Sequence, residues 1–280
     1  MKGYIQLLRP KHSVKNLLVL FPLVFSGRLW EGELLARSLW AALAFWGAAG
    51  AVYIFNDVRD RERDRLHPTK CRRPIASGAV SVPRAAAEGA VLIALTAGIF
   101  PLGRLPAESG GCLVLYVLLN LGYNLGLKDV PILDLAILVS GFLLRVLFGA
   151  AVTGIAVSGW LYLTVTALSF YLGLSKRRGE LRTARGRGRL VLRFYSDAFL
   201  SQNMQMCLTL AVVFYALWTV DRDMALVWTV PLMLCLCLKY SLVVEGNSDG
   251  DPVEVLYQDR GLLLSGAAFA ALTLALLYLR

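Results

Sequence analysis

The segment Asn56-Asp57-Val58-Arg59-Asp60-Arg61-Glu62-Arg63-Asp64 packs more chemistry-bearing side chains into nine positions than any other stretch of the chain. It reads NDxxDxxxD. At 3.6 residues per turn, Asn56, Asp60 and Asp64 fall at successive four-residue steps with Asp57 beside them, so four oxygen-bearing side chains share a helix face. Like charges at that spacing repel, and a cation is the natural compensation. Hard cations such as Mg2+ take one or two carboxylates and complete their shell with substrate phosphates. Asp57, Asp60 and Asp64 are therefore the candidate metal ligands and catalytic residues, with Mg2+ as the expected cofactor. The plain alternative is a solvated helix end in which Arg59, Arg61, Glu62 and Arg63 pair among themselves. Position argues against it, because the acids directly continue the apolar run Ala51-Val52-Tyr53-Ile54-Phe55, where unpaired charge is costly.

Just downstream, Lys70, Arg72 and Arg73 form a compact cationic cluster between Pro68 and Pro74, on a path that proline turns away from helix. Arginine offers a planar fork to phosphate oxygens and lysine a point charge. Carboxylates that hold a metal, followed by cations that hold phosphate, suit a diphosphate leaving group.

The elements that carry these groups follow from composition. Of 280 residues, 57% are hydrophobic and 17% charged, against about 25% charged in soluble domains. A soluble enzyme, a disordered chain and a collagen-like repeat are excluded. Five cysteines and two histidines, His12 and His67, show no zinc spacing and no disulfide framework. Apolar runs lie at about 12–27, 34–55, 84–103, 108–124, 131–152, 159–175, 199–220, 224–243 and 261–279, near the roughly 17–25 residues a spanning helix needs. The first is the shortest in apolar stretch. It holds Lys15, Asn16 and Pro22 and is followed by no small-residue cleavage site, which sets it apart from a cleavable signal. The expected fold is an all-α integral membrane bundle of nine transmembrane helices, with residues 1–280 forming one domain.

Lysine and arginine set the orientation. With the N-terminus in the cytoplasm, twenty-three of them fall inside and five outside, while Arg145 lies within a span. Loops 56–83 and 176–198 then both face the cytoplasm, and most of the net +10 charge gathers there. No nucleic-acid-binding motif accompanies that charge.

The stretch NDVRDRERDRLHPTKCRRPIASG at 56–78 resembles the first aspartate-rich motif of the UbiA superfamily of intramembrane prenyltransferases. Within it, the chain is most similar to the decaprenyl-phosphate phosphoribosyltransferase branch. The similarity extends through Leu8-Arg9-Pro10 and Val14-Lys15-Asn16, YNLGLKDVPILDLAILVSGFLLR at 123–145, LSKRRGEL at 174–181 and PVEVLYQDR at 252–260. This resemblance implies the nine-span UbiA-like fold, a plasma-membrane location with the site facing the cytoplasm, and phosphoribosyl transfer with Mg2+. The donor would be phosphoribosyl pyrophosphate and the acceptor a polyprenyl phosphate. The lipid phosphate, already an anion, would attack the oxocarbenium-like C1 without a general base, so catalysis would rest on positioning and charge stabilisation.

The substrate-binding residues implied are Lys15, Asn16, Lys70, Arg72, Arg73 and Lys128 for phosphates, with Asn56 and Tyr123 for neutral hydrogen bonds. Superfamily members commonly carry a second acidic motif, DxxxD, but here Asp129 and Asp134 are five apart. Asp134 and Arg145, eleven apart with Gly141 between, return to within about 20° of one helix face. They are either internal ion-pair partners or groups that meet a phosphate or ribose hydroxyl. Lys176, Arg177 and Arg178 leave the sixth run and join the candidate set, while the Gly-Arg-Gly-Arg portion at 186–189 reads as flexible. Glu254 and Asp259 fall in the matching stretch without an evident chemical role. Two other functions share parts of this sequence pattern. Prenyl transfer from a polyprenyl diphosphate to an aromatic or other small acceptor uses the same site and usually both acidic motifs. A non-enzymatic anion transporter calls for an inverted repeat or paired broken helices, which the sequence lacks. The expected partners are the two substrates and the membrane, with no nucleic acid, and the bundle is compatible with self-association.

Overall fold

The computed structural model describes residues 6–66, 70–183, 189–246 and 251–279, and helix is the only regular secondary structure among them. The α-helices are α1 (Phe21–Phe25), α2 (Gly32–Arg59), α3 (Arg61–Arg65), α4 (Val82–Leu102), α5 (Gly110–Leu125), α6 (Leu133–Thr153), α7 (Gly159–Thr183), α8 (Asp197–Arg222), α9 (Val230–Glu245), α10 (Pro252–Gln258) and α11 (Arg260–Tyr278). Among the described residues, six helices are long and apolar enough to cross a membrane: α2, α4, α6, α8, α11, and Met224–Glu245, which is α9 with its 3-10 lead-in.

The other three apolar runs take different forms. The run at 12–27 becomes a 3-10 helix, Pro10–Leu20, followed by the five-residue α1. Pro10 and Pro22 each sit in a first turn, where a missing N–H costs nothing. The run at 108–124 yields α5, only 16 residues long. The run at 159–175 yields the 25-residue α7, but Thr164, Thr166, Ser169 and Ser175 dilute its apolar character, and it continues into Lys176-Arg177-Arg178.

The chain forms two compact units, Met1–Leu127 with Leu144–Ala156, and Lys128–Leu143 with Val157–Arg280. In the first, α2 presents Ala41, Ala44, Ala48 and Ala49 to the core. Small side chains of this kind let helix backbones approach closely in lipid, and α2 packs along α4. Phe45 anchors the centre, with ring centroids 4.7 Å from Tyr116 and 5.8 Å from Phe148. Gly149 of α6 is required where it stands, because a Cβ there would run into the backbone carbonyl of Val19. The 3-10 segment therefore lies flush against that end of α6.

In the second unit, α7 packs along α8 around Leu135, Tyr171, Leu174, Leu200, Met204 and Cys207. A smaller cluster, Val244, Val255 and Leu262, ties α9, α10 and α11 together. Asp259 gains a role here: it caps α11 by accepting from the Leu262 amide at 2.7 Å and pairs with Lys239 at 2.9 Å. Lys239, then that amide, hold its carboxyl below the usual carboxylate range.

Candidate functional site

The acidic ladder is not one continuous helix. α2 stops at Arg59, Asp60 is the junction with φ −88° and ψ 3°, and α3 begins at Arg61. Four-residue backbone bonds still carry the turn forward, Asp60 N to Asn56 O at 2.9 Å and Asp64 N to Asp60 O at 2.8 Å. The two acids that converge are Asp57 and Asp64. Seven residues come within about 20° of two full turns, whereas the eight from Asn56 to Asp64 drift about 80°. Both carboxylates are buried, at 3% and 4% exposure. Arg73 Nη1 donates to both, to Asp57 Oδ1 at 3.1 Å and Asp64 Oδ2 at 2.7 Å. Arg9 Nη2 donates to the same Asp57 oxygen. Asn56 and Asp60 stay half-buried, and no group of three acidic, histidine or cysteine side chains closes on one point among the described residues. Of the three expected ligands, Asp57 and Asp64 converge on Arg73 and Asp60 stands apart from it.

Local structure explains how Arg73 arrives there. Lys70–Arg72 form a 3-10 turn, the Arg73 amide closes on Lys70 O at 3.0 Å and Ser77 N on Arg73 O at 2.9 Å. Pro74, Ile75 and Ala76 behind it are buried and anchor the loop. Arg65 straps it with Nε to Ala76 O at 3.2 Å. Lys70 is half-buried and Arg72 exposed; Pro68, on the other flank, lies outside the described residues. Of the intervening charges, Arg61 and Arg65 pair with Glu62 at 2.9 and 3.0 Å. Arg59 leaves that set and donates to the Asn124 carbonyl at 2.9 Å.

Arg9 was visible in the sequence only as part of a Leu-Arg-Pro triplet. Its backbone is left-handed, φ 47°, immediately before Pro10, and its guanidinium lies 4.9 Å from the Tyr53 ring centroid. The ring face and the carboxylate together hold the cation. No local signal identifies this contact, because Arg9 and Asp57 are 48 residues apart.

Two carboxylate oxygens accepting from a single cationic nitrogen show that this pair of carboxylates already accommodates positive charge. Their oxygen chemistry fits Mg2+, which needs only one or two carboxylates when phosphates supply the rest.

Deeper in the same unit, Arg145 Nε donates to Asn16 Oδ1 at 2.9 Å, and its guanidinium lies 4.5 Å from the Phe45 ring and 5.1 Å from Tyr116. Along α5, Asn120 donates to Tyr116 O at 2.8 Å and Asn124 to Asn120 O at 2.9 Å. Asn124 Oδ1 is buried without a partner. Lys15 and Tyr123 are half-buried beside this polar strip in sequence. Arg145 therefore does not pair with Asp134. Eleven residues put them about 16 Å apart along the helix, so a shared azimuth cannot bring them into contact.

In the second unit Asp134 meets Arg177 instead, Nε to Oδ2 at 2.6 Å, with both side chains wholly buried. Tyr195 donates to the other Asp134 oxygen at 2.7 Å and accepts from the Ile132 amide at 2.7 Å. Burial, and then the bond to that carboxylate, push the Tyr195 phenol up to about 12, against the pull of the Ile132 amide. Arg177 also reaches Glu180 at 2.7 Å, and Arg189 stands 3.5 Å from the same glutamate. Burial works against the ionised Glu180, but Arg189, Arg177 and Lys176 outweigh it and hold the group below the ordinary glutamate range.

The neighbouring cations go elsewhere. Lys176 pairs with Asp251 at 2.6 Å, the residue that caps α10 through the Val253 amide at 3.0 Å. Arg178 reaches Asp197 at 3.0 Å and also Glu245, and Arg182 spans the same two acids at 3.3 and 3.2 Å. Lys128 is buried in the Leu127–Asp129 turn. Lys176, Arg177 and Arg178, all candidates for the substrate, pair with five acids in three separate sets. Arg187 and its flanking glycines lie outside the described residues.

Comparison with known proteins gives this geometry a context. The family model described as the UbiA prenyltransferase family matches residues 19–258. Decaprenyl-phosphate phosphoribosyltransferase of Corynebacterium glutamicum is 34% identical, over 95% of this chain and 84% of that protein. The protein of the same name from Mycobacterium tuberculosis is 33% identical, over 96% of this chain and 92% of its own length. The solved structure of a UbiA homolog from Archaeoglobus fulgidus bound to GPP and Mg2+ superposes with a TM-score of 0.75 at 18% identity, covering 98% of this chain and 99% of that one.

Proposed function

The chain belongs to the UbiA prenyltransferase family, and on that premise we propose that it transfers 5-phosphoribosyl from phosphoribosyl pyrophosphate to a polyprenyl (decaprenyl) phosphate, releasing pyrophosphate. It is an integral membrane protein and a transferase. The observation that carries the reading is the pair of buried carboxylates, Asp57 and Asp64, gathered on one cationic nitrogen next to Lys70 and Arg72. It stands in a chain about one-third identical, over most of its length, to named decaprenyl-phosphate phosphoribosyltransferases. The finer parts of the proposal are a single catalytic domain of nine spans, a cytoplasmic N-terminus, and a plasma-membrane site that opens to the cytoplasm.

Asp57 and Asp64, with Asp60 beside them, would hold a Mg2+ ion whose charge offsets that of the departing pyrophosphate. Lys70, Arg72 and Arg73 bind the donor's phosphates, arginine through its fork and lysine as a point charge. Lys15 adds a further cation, and Asn56 and Tyr123 offer neutral hydrogen bonds to the sugar. The lipid phosphate forms the new bond to C1 as the C1–O bond to pyrophosphate breaks; it arrives ionised, so no side chain needs to remove a proton. The protein's contribution is positioning and charge stabilisation. Asp134 and Arg177 brace the second unit, and Arg145 fixes Asn16, rather than touching the reacting atoms.

Purified protein in lipid bilayers, given labelled phosphoribosyl pyrophosphate, Mg2+ and decaprenyl phosphate, should form a labelled lipid. Formation of none, alongside turnover of a polyprenyl diphosphate with an aromatic acid, would replace this reading with prenyl transfer. Turnover of neither, with anion flux across vesicles, would replace it with transport.

A further inference from the structure

We propose that Arg9 and Arg73 are exchangeable occupants of the Asp57–Asp64 cation position, which leave it when a divalent metal enters and then bind the pyrophosphate that the metal accompanies. The inference rests on the metal-dependent phosphoribosyl transfer proposed above and adds Arg9 to the residues that serve it.

Three observations carry it. First, Arg73 Nη1 contacts both carboxylates, at 3.1 and 2.7 Å. A metal held by those two acids would need the oxygens that this nitrogen now occupies, so the two cations would compete for them. Second, Asp57 and Asp64 are too deeply buried to remain uncompensated, because a buried charge stripped of its partner is strongly unfavourable. A resident cation is therefore needed before the metal comes, and the arginines supply it. Third, the acids and the arginines differ in burial. The carboxylate side chains are 4% and 6% exposed, but those of Arg9 and Arg73 are 21% and 26% exposed. The arginine side chains are thus the partly solvent-facing members of the cluster, and moving them off the carboxylates would expose no core side chain beyond the Arg9 contact with Tyr53. Their backbones stay put when the side chains move, since Arg9 is followed by Pro10 and Arg73 by the buried Pro74-Ile75-Ala76. Arg177, whose side chain and whose Asp134 partner are both wholly buried, has no such freedom.

Exchange accounts for an otherwise awkward arrangement. Cations placed against the metal's own ligands lower its affinity in the absence of donor. Once released, they face an incoming polyanion, for which charge-assisted arginine bonds are strong. Metal and donor then bind more tightly together than either does alone.

The test uses the full chain in detergent micelles, with Mn2+ as the probe, followed by its electron paramagnetic resonance signal. Without donor, Arg9→Gln and Arg73→Gln should each bind Mn2+ about tenfold more tightly than wild type, the order expected when a competing unit charge is removed. Both variants should bind phosphoribosyl pyrophosphate more weakly. Arg73→Lys, which keeps the charge, should stay near wild type for Mn2+. A purely structural role for the arginines predicts unchanged or weaker Mn2+ binding, and that result would overturn the exchange while leaving the transferase reading intact.

Wild-type protein gives an independent readout. Phenylglyoxal modification of Arg9 and Arg73, mapped by mass spectrometry, should rise severalfold with Mn2+ and fall when phosphoribosyl pyrophosphate is added as well. Reactivity that ignores Mn2+ overturns the exchange. Mn2+ binding that is indifferent to Asp57→Asn overturns both the exchange and the metal assignment beneath it.

Discussion

Each unit of this protein contains an arginine held between two acids, and the two arrangements differ in one respect that matters. Arg73 lies between Asp57 and Asp64, and Arg177 between Asp134 and Glu180. The first arginine is about a quarter exposed, while the second is wholly buried and shares Asp134 with the Tyr195 phenol. Both are ion-pair networks by their distances alone. Burial of the cation separates a position that can change occupants from a clamp that cannot.

The contrast breaks first at Asp57. Asp57→Asn should lower labelled-lipid formation at least about a thousandfold, the scale of losing a metal's several kcal/mol, while the thermal midpoint holds steady. Arg177→Met should do the reverse: it leaves Asp134 buried without its cation, costs about 3–5 kcal/mol of stability, and shows as a lowered melting midpoint by differential scanning fluorimetry. Equal effects of both substitutions on activity per folded molecule would erase the distinction.

A smaller effect sharpens the first site. Asp60 does not converge on the Arg73 nitrogen, so Asp60→Asn should reduce turnover by about ten- to a hundredfold, clearly less than Asp57→Asn; an equal loss would restore the three-carboxylate set. The smallest concerns Tyr195→Phe, which removes one hydrogen bond to a charged group, worth about 1.5–3 kcal/mol. The folded phenol, raised to about 12, lies above its unfolded value of about 10. Its stabilisation is therefore complete below pH 10 and lost as pH climbs from 10 towards 12. A wild-type-minus-variant difference titration showing one phenolate appearing near 12 would establish it; a difference appearing near 10 would refute it.

Some of this was legible in the residues themselves. Asp57 and Asp64 are seven apart, so helix periodicity alone puts them on one face, and the nearby Lys70-Cys71-Arg72-Arg73 run supplies the cation. Arg9 was not legible, because its contact with Asp57 spans 48 residues and leaves no periodic trace. Lys176-Arg177-Arg178 misled in the opposite direction. A linear run reads as one basic patch, but successive helix positions diverge by about 100°, and the three cations face three separate sets of acids. Pro10 and Pro22 shape the first apolar run into a 3-10 segment and a short helix, where apolar length alone suggests one long α-helix. Apolar composition records what a segment is soluble in more faithfully than how its backbone winds.

The slot at Gly149 has a consequence for the order in which the protein is made. Val19 can settle against it, and Asn16 can receive the Arg145 bond across 129 residues, only after α6 has been synthesised. At about 5–20 residues per second, the N-terminal segment waits on the order of ten seconds beside a half-built unit. Arg9, ten residues upstream of Val19, is carried by the same segment. This segment thus docks only once residue 149 has been made, and a product truncated before that residue would lack the surface against which Val19 packs.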